Sequence, residues 1–181
     1  MATPVGHSLA GYAIYRVLVP SQDRRPALLL FAAAMATAPD LDFLPGILTG
    51  APATYHQGLS HSLAFGVIAG VTGAVMLRTV ASTTTRLDFV LGFLCYTSHL
   101  VLDFFGPDTR PPYGIPLFWP FSDCTFLSPV PLLLGVSHAG HTSASTGEWL
   151  HAIFTPYNAA ALGTEILLIS PFVLLARRLR A

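Results

Sequence analysis

The histidines and aspartates of this chain have types and spacings that suit a metal ion. His99 and Asp103 are four residues apart in an apolar segment, so on a helix their side chains lie on one face, one turn apart. An imidazole nitrogen and a carboxylate oxygen on the same face can bind a divalent cation such as Zn²⁺. The alternative is a His–Asp hydrogen bond that only ties this helix to a neighbour.

Two further groups have the same chemical character. Asp40 and Asp42 end an apolar segment, and acids at a helix C-terminus are disfavoured unless a cation is near. One carboxylate could bind the metal while the other orients a ligand or acts as a general base, and the sequence leaves these roles open. His56 and His61 supply two more imidazoles, of which we expect at least one to be a ligand. Ser60 is expected to cap the helix that begins beside them.

Two isolated residues complete the candidate site. His7 opens the first apolar segment, and Glu165 lies about two turns into the last one. An acid in otherwise apolar helical surroundings is a functional candidate. Glu165 could be a ligand, a partner that orients an imidazole, or a buried protonated acid that only packs. The predicted metal ligands are therefore His7, Asp40, His56, His61, His99, Asp103 and Glu165, whereas His138, His141 and His151 are expected to be loop residues.

The composition indicates an integral membrane protein. Hydrophobic residues make up 52% of the chain, charged residues 10%, and the mean hydropathy is +0.60. Soluble domains carry about 25% charged residues. A net charge of zero gives no support for nucleic-acid binding. The length of 181 residues favours a single domain over residues 1–181, and Cys95 and Cys124 are expected to be packing residues rather than a disulfide.

Apolar segments and their punctuation predict an all-α membrane bundle of about five membrane-embedded helices. Several segments are shorter than the ~20 residues that cross a bilayer squarely, so some helices are expected to be only partly exposed to lipid. A long outward loop region is predicted over residues 106–158. The five segments cover approximately residues 5–19, 27–41, 61–77, 87–105 and 159–176.

Arginine placement predicts the orientation of this bundle. All nine basic residues are arginine, and only Arg110 falls on the side opposite to the others. Because basic residues prefer the cytoplasmic side of short loops, the N-terminus is predicted outside and the C-terminus inside. The predicted location is the inner or plasma membrane, crossed several times. The acids and histidines then converge at the extracytoplasmic face, which agrees with the arginine placement.

The outer loop contains two candidate substrate-binding residues. Arg110 could hold a phosphate group. Trp119 lies between Phe118 and Phe121, and aromatic rings of this kind concentrate in the lipid headgroup layer. The loop is therefore predicted to cover the metal site with a lipid-facing edge, although an aromatic belt alone would account for the same residues.

The motifs resemble those of the YdjM-type inner-membrane proteins, which are described as metal-dependent hydrolases and as LexA-binding. This family is more remotely similar to zinc-dependent phospholipase C and the P1-type nucleases, in which His and Asp residues in a similar order bind clustered zinc ions. The resemblance implies ligands from His7, Asp40 or Asp42, His56 or His61, His99 and Asp103. The matching stretches are Gly6–Ser8, Pro39–Asp42, His56–Gly58, His61–Leu63, His99–Asp103 and Leu117–Ser122.

Two departures from the family pattern bear on the site. Ala161 stands four residues before Glu165, where the remote relatives have a histidine, so one or two metal ions are expected rather than three. Gln57 stands where a basic residue is expected, which removes an anion contact at that position.

These observations predict a membrane-bound hydrolase that uses a divalent metal, expected to be Zn²⁺, to cleave a phosphoester or ester. The substrate is expected to be a small molecule or a lipid that enters from the headgroup layer, and Asp40 or Asp42 is expected to accept the proton of the attacking water. One alternative is a non-enzymatic protein in which a metal only clamps the helix ends. The other is a metal or proton transporter, which should distribute ionisable groups across the whole membrane thickness.

Overall fold

The computed structural model describes residues 1–81, 85–109, 111–137 and 146–179. Within these ranges the regular secondary structure is all helical and no β-strand forms, which confirms the predicted all-α class. Short 3₁₀ turns connect several of the helices, among them Ala38–Asp42 and Leu59–His61. The α-helices are α1 (Pro4–Leu18), α2 (Pro26–Thr37), α3 (Phe43–Leu48), α4 (Leu63–Ala81), α5 (Thr85–Phe104), α6 (Thr146–Ile153) and α7 (Pro156–Leu179).

Local sequence signals account for where the helices begin. Thr3 caps α1, because its hydroxyl accepts a hydrogen bond from the backbone N–H of Gly6 (3.0 Å). The helices α1, α2 and α7 each begin with a proline, whose fixed φ suits the first helical position. The predicted cap of α4 was wrong by two residues: Ser62, not Ser60, accepts from the N–H of Phe65 (3.3 Å).

Three helical stretches of the described chain are long and apolar enough to cross a membrane. They are Pro26–Leu48, Arg86–Phe104 and Pro156–Leu179. The first combines α2, the Ala38–Asp42 turn and α3. All five helices predicted from the sequence are present, and α1 and the apolar part of α4 are shorter than a full span.

Helix α5 lies at the centre of the bundle and packs against α1, α2 and α4, while α7 packs against α1. Its buried face includes Leu91, Cys95 and Leu100. Cys95 thus packs in the core as predicted. The same prediction was wrong for Cys124, which is exposed because it lies in the non-helical region after α5.

Gly11 allows a close approach of α1 to α2 in this core. A Cβ atom on Gly11 of α1 would lie 2.8 Å from the Cβ of Ala36 and 2.9 Å from the carbonyl oxygen of Ala32, both in α2. Only glycine fits at such a distance. This approach brings the end of α2 and the start of α1 to the same end of α5, where the acids and histidines lie.

Residues 105–109 and 111–137, which follow α5, are non-helical, as predicted for the loop region. The prediction of a loop over residues 106–158 was wrong at its end, because α6 and the first residues of α7 lie within that range. Ile115 and Phe126 exchange two backbone hydrogen bonds (3.0 and 2.9 Å), which fold the segment back on itself. The N–H of Leu63 donates to the carbonyl of Leu117 (3.0 Å) and ties this fold to the start of α4. The loop region is therefore attached to the end of the bundle that carries the candidate site.

Candidate metal centre

Four elements bring the candidate ligands together at one end of the bundle. His7 comes from α1, Asp40 from the Ala38–Asp42 turn, His61 from the Leu59–His61 turn, and His99 and Asp103 from the last turns of α5. The three histidines and Asp103 are almost completely buried. Buried ionisable groups are costly unless they are paired or bind a cation, so this end of the molecule is a candidate cation site.

Three of these side chains form a nearly equilateral triangle of possible ligand atoms. The Nε2 atoms of His61 and His99 are 3.3 Å apart. The Oδ2 atom of Asp103 lies 3.3 Å from the Nε2 of His99 and 3.4 Å from that of His61. A tetrahedron of N and O ligands at zinc bond lengths of about 2.0–2.1 Å has edges of about 3.3–3.4 Å. The triangle therefore has the size of one face of a zinc coordination tetrahedron.

Asp40 lies next to this triangle as a fourth possible ligand. Its Oδ1 atom lies 3.5 Å from the Nε2 of His99 and 3.9 Å from that of His61. This oxygen is buried and has no hydrogen-bond partner among the residues that the structure describes. The side chain as a whole is 13% exposed, whereas those of the other three are fully buried. Asp40 is thus the member of the group that solvent or a substrate can reach.

Hydrogen bonds on the far side of each ring fix which nitrogen faces the group. The Nδ1 of His99 donates to the carbonyl oxygen of Ala36 (2.8 Å), and a carbonyl can only accept. The Nδ1 of His61 lies 3.1 Å from the Oδ2 of Asp42, a carboxylate acceptor. In its neutral form each ring therefore presents an Nε2 lone pair inward. Nitrogen lone pairs that face carboxylate oxygens need a proton or a metal cation between them, so this donor set fits a metal ion that takes the place of protons on the imidazoles.

Asp42 is engaged differently from Asp40. Its Oδ1 accepts from the Nδ1 of His56 (3.0 Å), and its Oδ2 accepts from the hydroxyl of Ser60 (2.8 Å) and from His61. Asp42 thus orients both imidazoles. Asp42, His56 and His61 also form a second group whose atoms are close enough to hold an ion, which keeps a second metal in the prediction.

His56 is held in a neutral, buried state. Its ring stacks on that of Phe43 with centroids 3.9 Å apart. Burial lowers the pKa of the His56 imidazole, and this effect outweighs the hydrogen bond to Asp42, which acts to raise the pKa. A neutral imidazole is the form that binds metals.

His7 lies beside the group of four rather than in it. Its ring stacks on that of His99 with centroids 3.6 Å apart, and its Nε2 is 3.6 Å from the Oδ1 of Asp103. That same oxygen accepts a hydrogen bond from the backbone N–H of Ala2 (3.0 Å). Neither ring nitrogen of His7 has a hydrogen bond within the described residues, so ligation by His7 stays a prediction.

Glu165 binds the start of α1 instead of the other candidates. Its Oε1 accepts from the backbone N–H of Thr3 (2.9 Å), and its Oε2 accepts from the hydroxyl of the same residue. It belongs to neither of the two groups of possible ligands found among the described residues. Of the three roles left open by the sequence, the geometry favours a structural one, and ligation by Glu165 stays a prediction.

The predicted substrate contacts are not part of this arrangement. Trp119 packs near Phe65 of α4, with ring centroids 6.0 Å apart, and lines neither of the two cavities described below. Arg110, His138 and His141 lie outside the described residues, and His151 is exposed on α6.

Two cavities adjoin the group of ligands. The larger has a volume of about 830 Å³, a mainly apolar lining and Asp40 in its wall. The smaller, about 240 Å³, is more polar and includes His56, Gln57 and Asp108 in its lining. The candidate metal centre therefore has an apolar space on one side and a polar one on the other.

A family model described as YdjM inner membrane protein matches residues 1–178. The chain belongs to this family. No curated protein and no solved structure matches the chain, so the remote similarity to phospholipase C and the P1-type nucleases stays an expectation from the sequence. The description of this family as an inner membrane protein agrees with the three candidate spans.

Some contributors to the centre of this YdjM-family protein carry no signal in the sequence. The carbonyl of Ala36 orients His99, the ring of Phe43 stacks on His56, and the N–H of Ala2 binds Asp103. Alanine and phenylalanine in apolar segments look like packing residues. A pattern search could have found Ser60, because a hydroxyl next to a candidate histidine is a common partner of such a site.

Proposed function

We propose that this YdjM-family protein is a metal-dependent hydrolase that cleaves a phosphoester or ester of a lipid or lipid-linked substrate at the outer membrane interface. The triangle formed by His61, His99 and Asp103, with Asp40 beyond it, carries this proposal. Three protein ligands and one exchangeable position are the pattern of catalytic zinc sites, whereas structural sites close all four positions with protein atoms.

In this proposal each side chain has a distinct task. His61, His99 and Asp103 bind the metal, because their three atoms have the spacing of one tetrahedral face. A zinc ion in such a site makes hydroxide available near neutral pH by acidifying water. Asp40 accepts the proton, since its Oδ1 lies next to the triangle without a hydrogen bond from the described residues and its side chain borders the larger cavity.

The surrounding groups hold the ligands in place. Asp42 and the carbonyl of Ala36 keep a proton on the outer nitrogen of His61 and His99, so that the inner nitrogen remains a ligand. The phenol of Tyr96 donates to the carbonyl of Ser60 (2.5 Å) and ties the turn that carries His61 to α5. The ligands are therefore positioned before a metal binds.

The orientation of the protein belongs to the same proposal. The arginine distribution supports a cytoplasmic location for the loop before α2 and for the end of α7. The metal centre lies at the opposite ends of these helices, next to the region 106–137. A substrate from the outer leaflet would then reach Asp40 without crossing the hydrocarbon core.

A structural metal is the second candidate function. The four possible ligand atoms of Asp40, His61, His99 and Asp103 all lie within 4.8 Å of one another, so a small movement of Asp40 would close a four-protein-ligand site. Such a site clamps the ends of α2 and α5 and hydrolyses nothing.

The deciding experiment measures metal content and hydrolysis in three forms of the purified protein. Metals are counted by mass spectrometry, and bis(p-nitrophenyl) phosphate and p-nitrophenyl acetate are the substrates. We expect wild type to bind one or two zinc-like ions and His99→Ala/Asp103→Ala to bind none. Asp40→Asn should keep the metal but lose about 10²–10⁴-fold in rate, the usual contribution of a general base.

The exposed Asp123→Asn variant is the matched control and should behave as wild type. Loss of the metal in Asp40→Asn, together with no hydrolysis by wild type, would identify a structural site. A double mutant that still hydrolyses both substrates would contradict the mechanism.

A further inference from the structure

The larger cavity has no role in the metal chemistry itself. It measures about 830 Å³, within the range of about 300–1,000 Å³ for small-molecule sites. Its wall is built mainly by four parts of the chain: residues 1–5 at the start of α1, residues 40–47 in the Ala38–Asp42 turn and α3, residues 149–153 of α6, and residues 154–162 at the start of α7. Val136 also lines it. The apolar side chains in this wall include Leu41, Phe43, Leu44, Ile47, Ile153 and Leu162.

One charged residue, Asp40, marks the end of the cavity that lies next to the metal centre. Asp40 lies in its wall, and the Oδ1 atom of the same carboxylate lies 3.5 Å from the Nε2 of His99 and 3.9 Å from that of His61. A molecule in the cavity would thus contact apolar side chains along most of its length and would have one end next to Asp40 and the metal centre.

Two of the candidate membrane spans contribute to the wall of the cavity. Its residues 40–47 belong to the candidate span Pro26–Leu48, and Pro156, Ala159 and Leu162 belong to the span Pro156–Leu179. Phe154, another lining residue, is 85% exposed. A hydrocarbon chain in the neighbouring bilayer can therefore reach the cavity without passing through water.

We propose that this cavity binds the hydrocarbon chain of a membrane amphiphile whose anionic ester headgroup lies at Asp40 and the metal centre. The hydrolytic part of this inference rests on the proposed function, whereas chain binding does not. A wholly apolar occupant would remove water from the exposed 13% of the Asp40 side chain and offer it no polar contact, which is costly. A small water-soluble substrate would leave the apolar side chains of the wall in contact with water, which is unfavourable. An amphiphile can contact both the apolar wall and the polar end at Asp40.

The test measures binding of n-alkyl phosphates with four to twelve carbons to zinc-loaded protein in amphipol, by calorimetry. Each buried methylene contributes about 0.8 kcal/mol, so we expect the dissociation constant to fall about fourfold per CH₂ until the cavity is full. Partitioning into the amphipol also depends on chain length, so a variant must separate the two effects.

Ala159→Trp places a large side chain in the cavity, and Ala160→Trp places the same side chain on the same helix outside its lining. Both alanines are exposed, so both variants are expected to fold. Ala159→Trp should weaken dodecyl phosphate at least tenfold and leave butyl phosphate unchanged. Ala160→Trp should match wild type for both. Ile47→Trp and the non-lining Leu48→Trp repeat this comparison from the opposite wall.

The outcomes separate this inference from the proposed function. Chain-length dependence that disappears in Ala159→Trp but not in Ala160→Trp supports the inference, whether or not any ester is hydrolysed. Equal chain-length dependence in both variants overturns it, even where bis(p-nitrophenyl) phosphate is hydrolysed and the proposed function stands. Absence of any chain-length dependence in wild type also overturns it.

Discussion

At the scale of single residues, the two carboxylates of the Ala38–Asp42 turn have different partners although they are two positions apart. Asp40 keeps an oxygen without a hydrogen bond next to His61 and His99, within the described residues. Asp42 uses both oxygens for His56, Ser60 and His61. The sequence left open which carboxylate binds the metal and which one orients a ligand or acts as a base. The geometry favours Asp42 as the orienting group, and in our proposal Asp40 is the base.

Asp42→Asn is expected to weaken metal binding without abolishing it. An asparagine has the same shape, but its NH₂ group donates where Asp42 accepts from the imidazoles. The proton of His61 can then move to the nitrogen that faces the metal. Loss of such an orienting partner raises the metal dissociation constant about 10–100-fold.

This affinity is measured by zinc competition with a chelating dye, with the exposed Asp23→Asn as the control. A complete absence of zinc in Asp42→Asn at saturating metal would instead make Asp42 a ligand.

Glu165→Gln tests the ligand role that the sequence left open for this residue. The amide oxygen of glutamine can still accept from the N–H of Thr3, so we expect the metal content to stay at the wild-type value. Glu165→Ala should also keep the metal but lower the free energy of unfolding by about 1–3 kcal/mol, because it leaves the N–H of Thr3 without its acceptor. Metal content and chemical unfolding are the measurements, and a loss of zinc in Glu165→Gln would show that Glu165 is a ligand.

At the scale of helices, the close approach of α1 to α2 determines the geometry of the site. The carbonyl of Ala36, which orients His99, lies one helix turn from Ala32, and both residues pack against Gly11. A wider separation of these helices would move His7 away from the ring of His99 on which it stacks. The distance between α1 and α2 thus affects the positions of His7 and His99.

Gly11→Ala is expected to destabilise the protein by about 1–3 kcal/mol, because the added methyl group overlaps α2. Gly163→Ala is the matched control: a Cβ there meets no atom within 4 Å, so this change should be neutral or stabilise by up to about 1 kcal/mol. The free energy of unfolding in denaturing detergent is compared for both. Equal effects of the two substitutions would show that the approach of α1 to α2 is not close in solution.

At the scale of the whole molecule, apolar surface and buried ionisable groups are separated. The exposed faces of α4 and α7 carry large apolar side chains, among them Met76, Leu167 and Phe172. Exposed apolar surface of this extent is expected against lipid and not against water. The buried histidines and the acids of the metal centre lie together at one end of the bundle. This separation suits a protein that reacts at the membrane interface and anchors itself in the hydrocarbon.

The two native cysteines provide a test of orientation. Cys124 is exposed in the region after α5, while Cys95 is buried, so a membrane-impermeant maleimide should label Cys124 in intact spheroplasts. Gln22→Cys in a Cys124→Ser background places the exposed thiol in the loop before α2 and should be labelled only after permeabilisation. The reverse pattern would place the metal centre at the cytoplasmic face and contradict the arginine argument.

The sequence predicted the positions of the helices better than the side-chain contacts of the candidate site. Apolar runs bounded by proline identified α1, α2, α4, α5 and α7, because proline and hydrophobicity act locally. It failed for the cap of α4, where Ser60 and Ser62 are equally suitable by type. Only the direction of the chain at the turn decides that Ser62 caps the helix and Ser60 donates to Asp42.

The sequence by itself determined the helical membrane character, the family, and the end of the bundle where His99 and Asp103 lie. These features follow from composition and from residue spacing along one helix, which are local properties. Tertiary structure decided which atoms face one another: the triangle with Asp103, the orienting role of Asp42, and the contact of Glu165 with Thr3. Those arrangements depend on distances between elements that are far apart in the chain, and such distances are determined by how the helices pack.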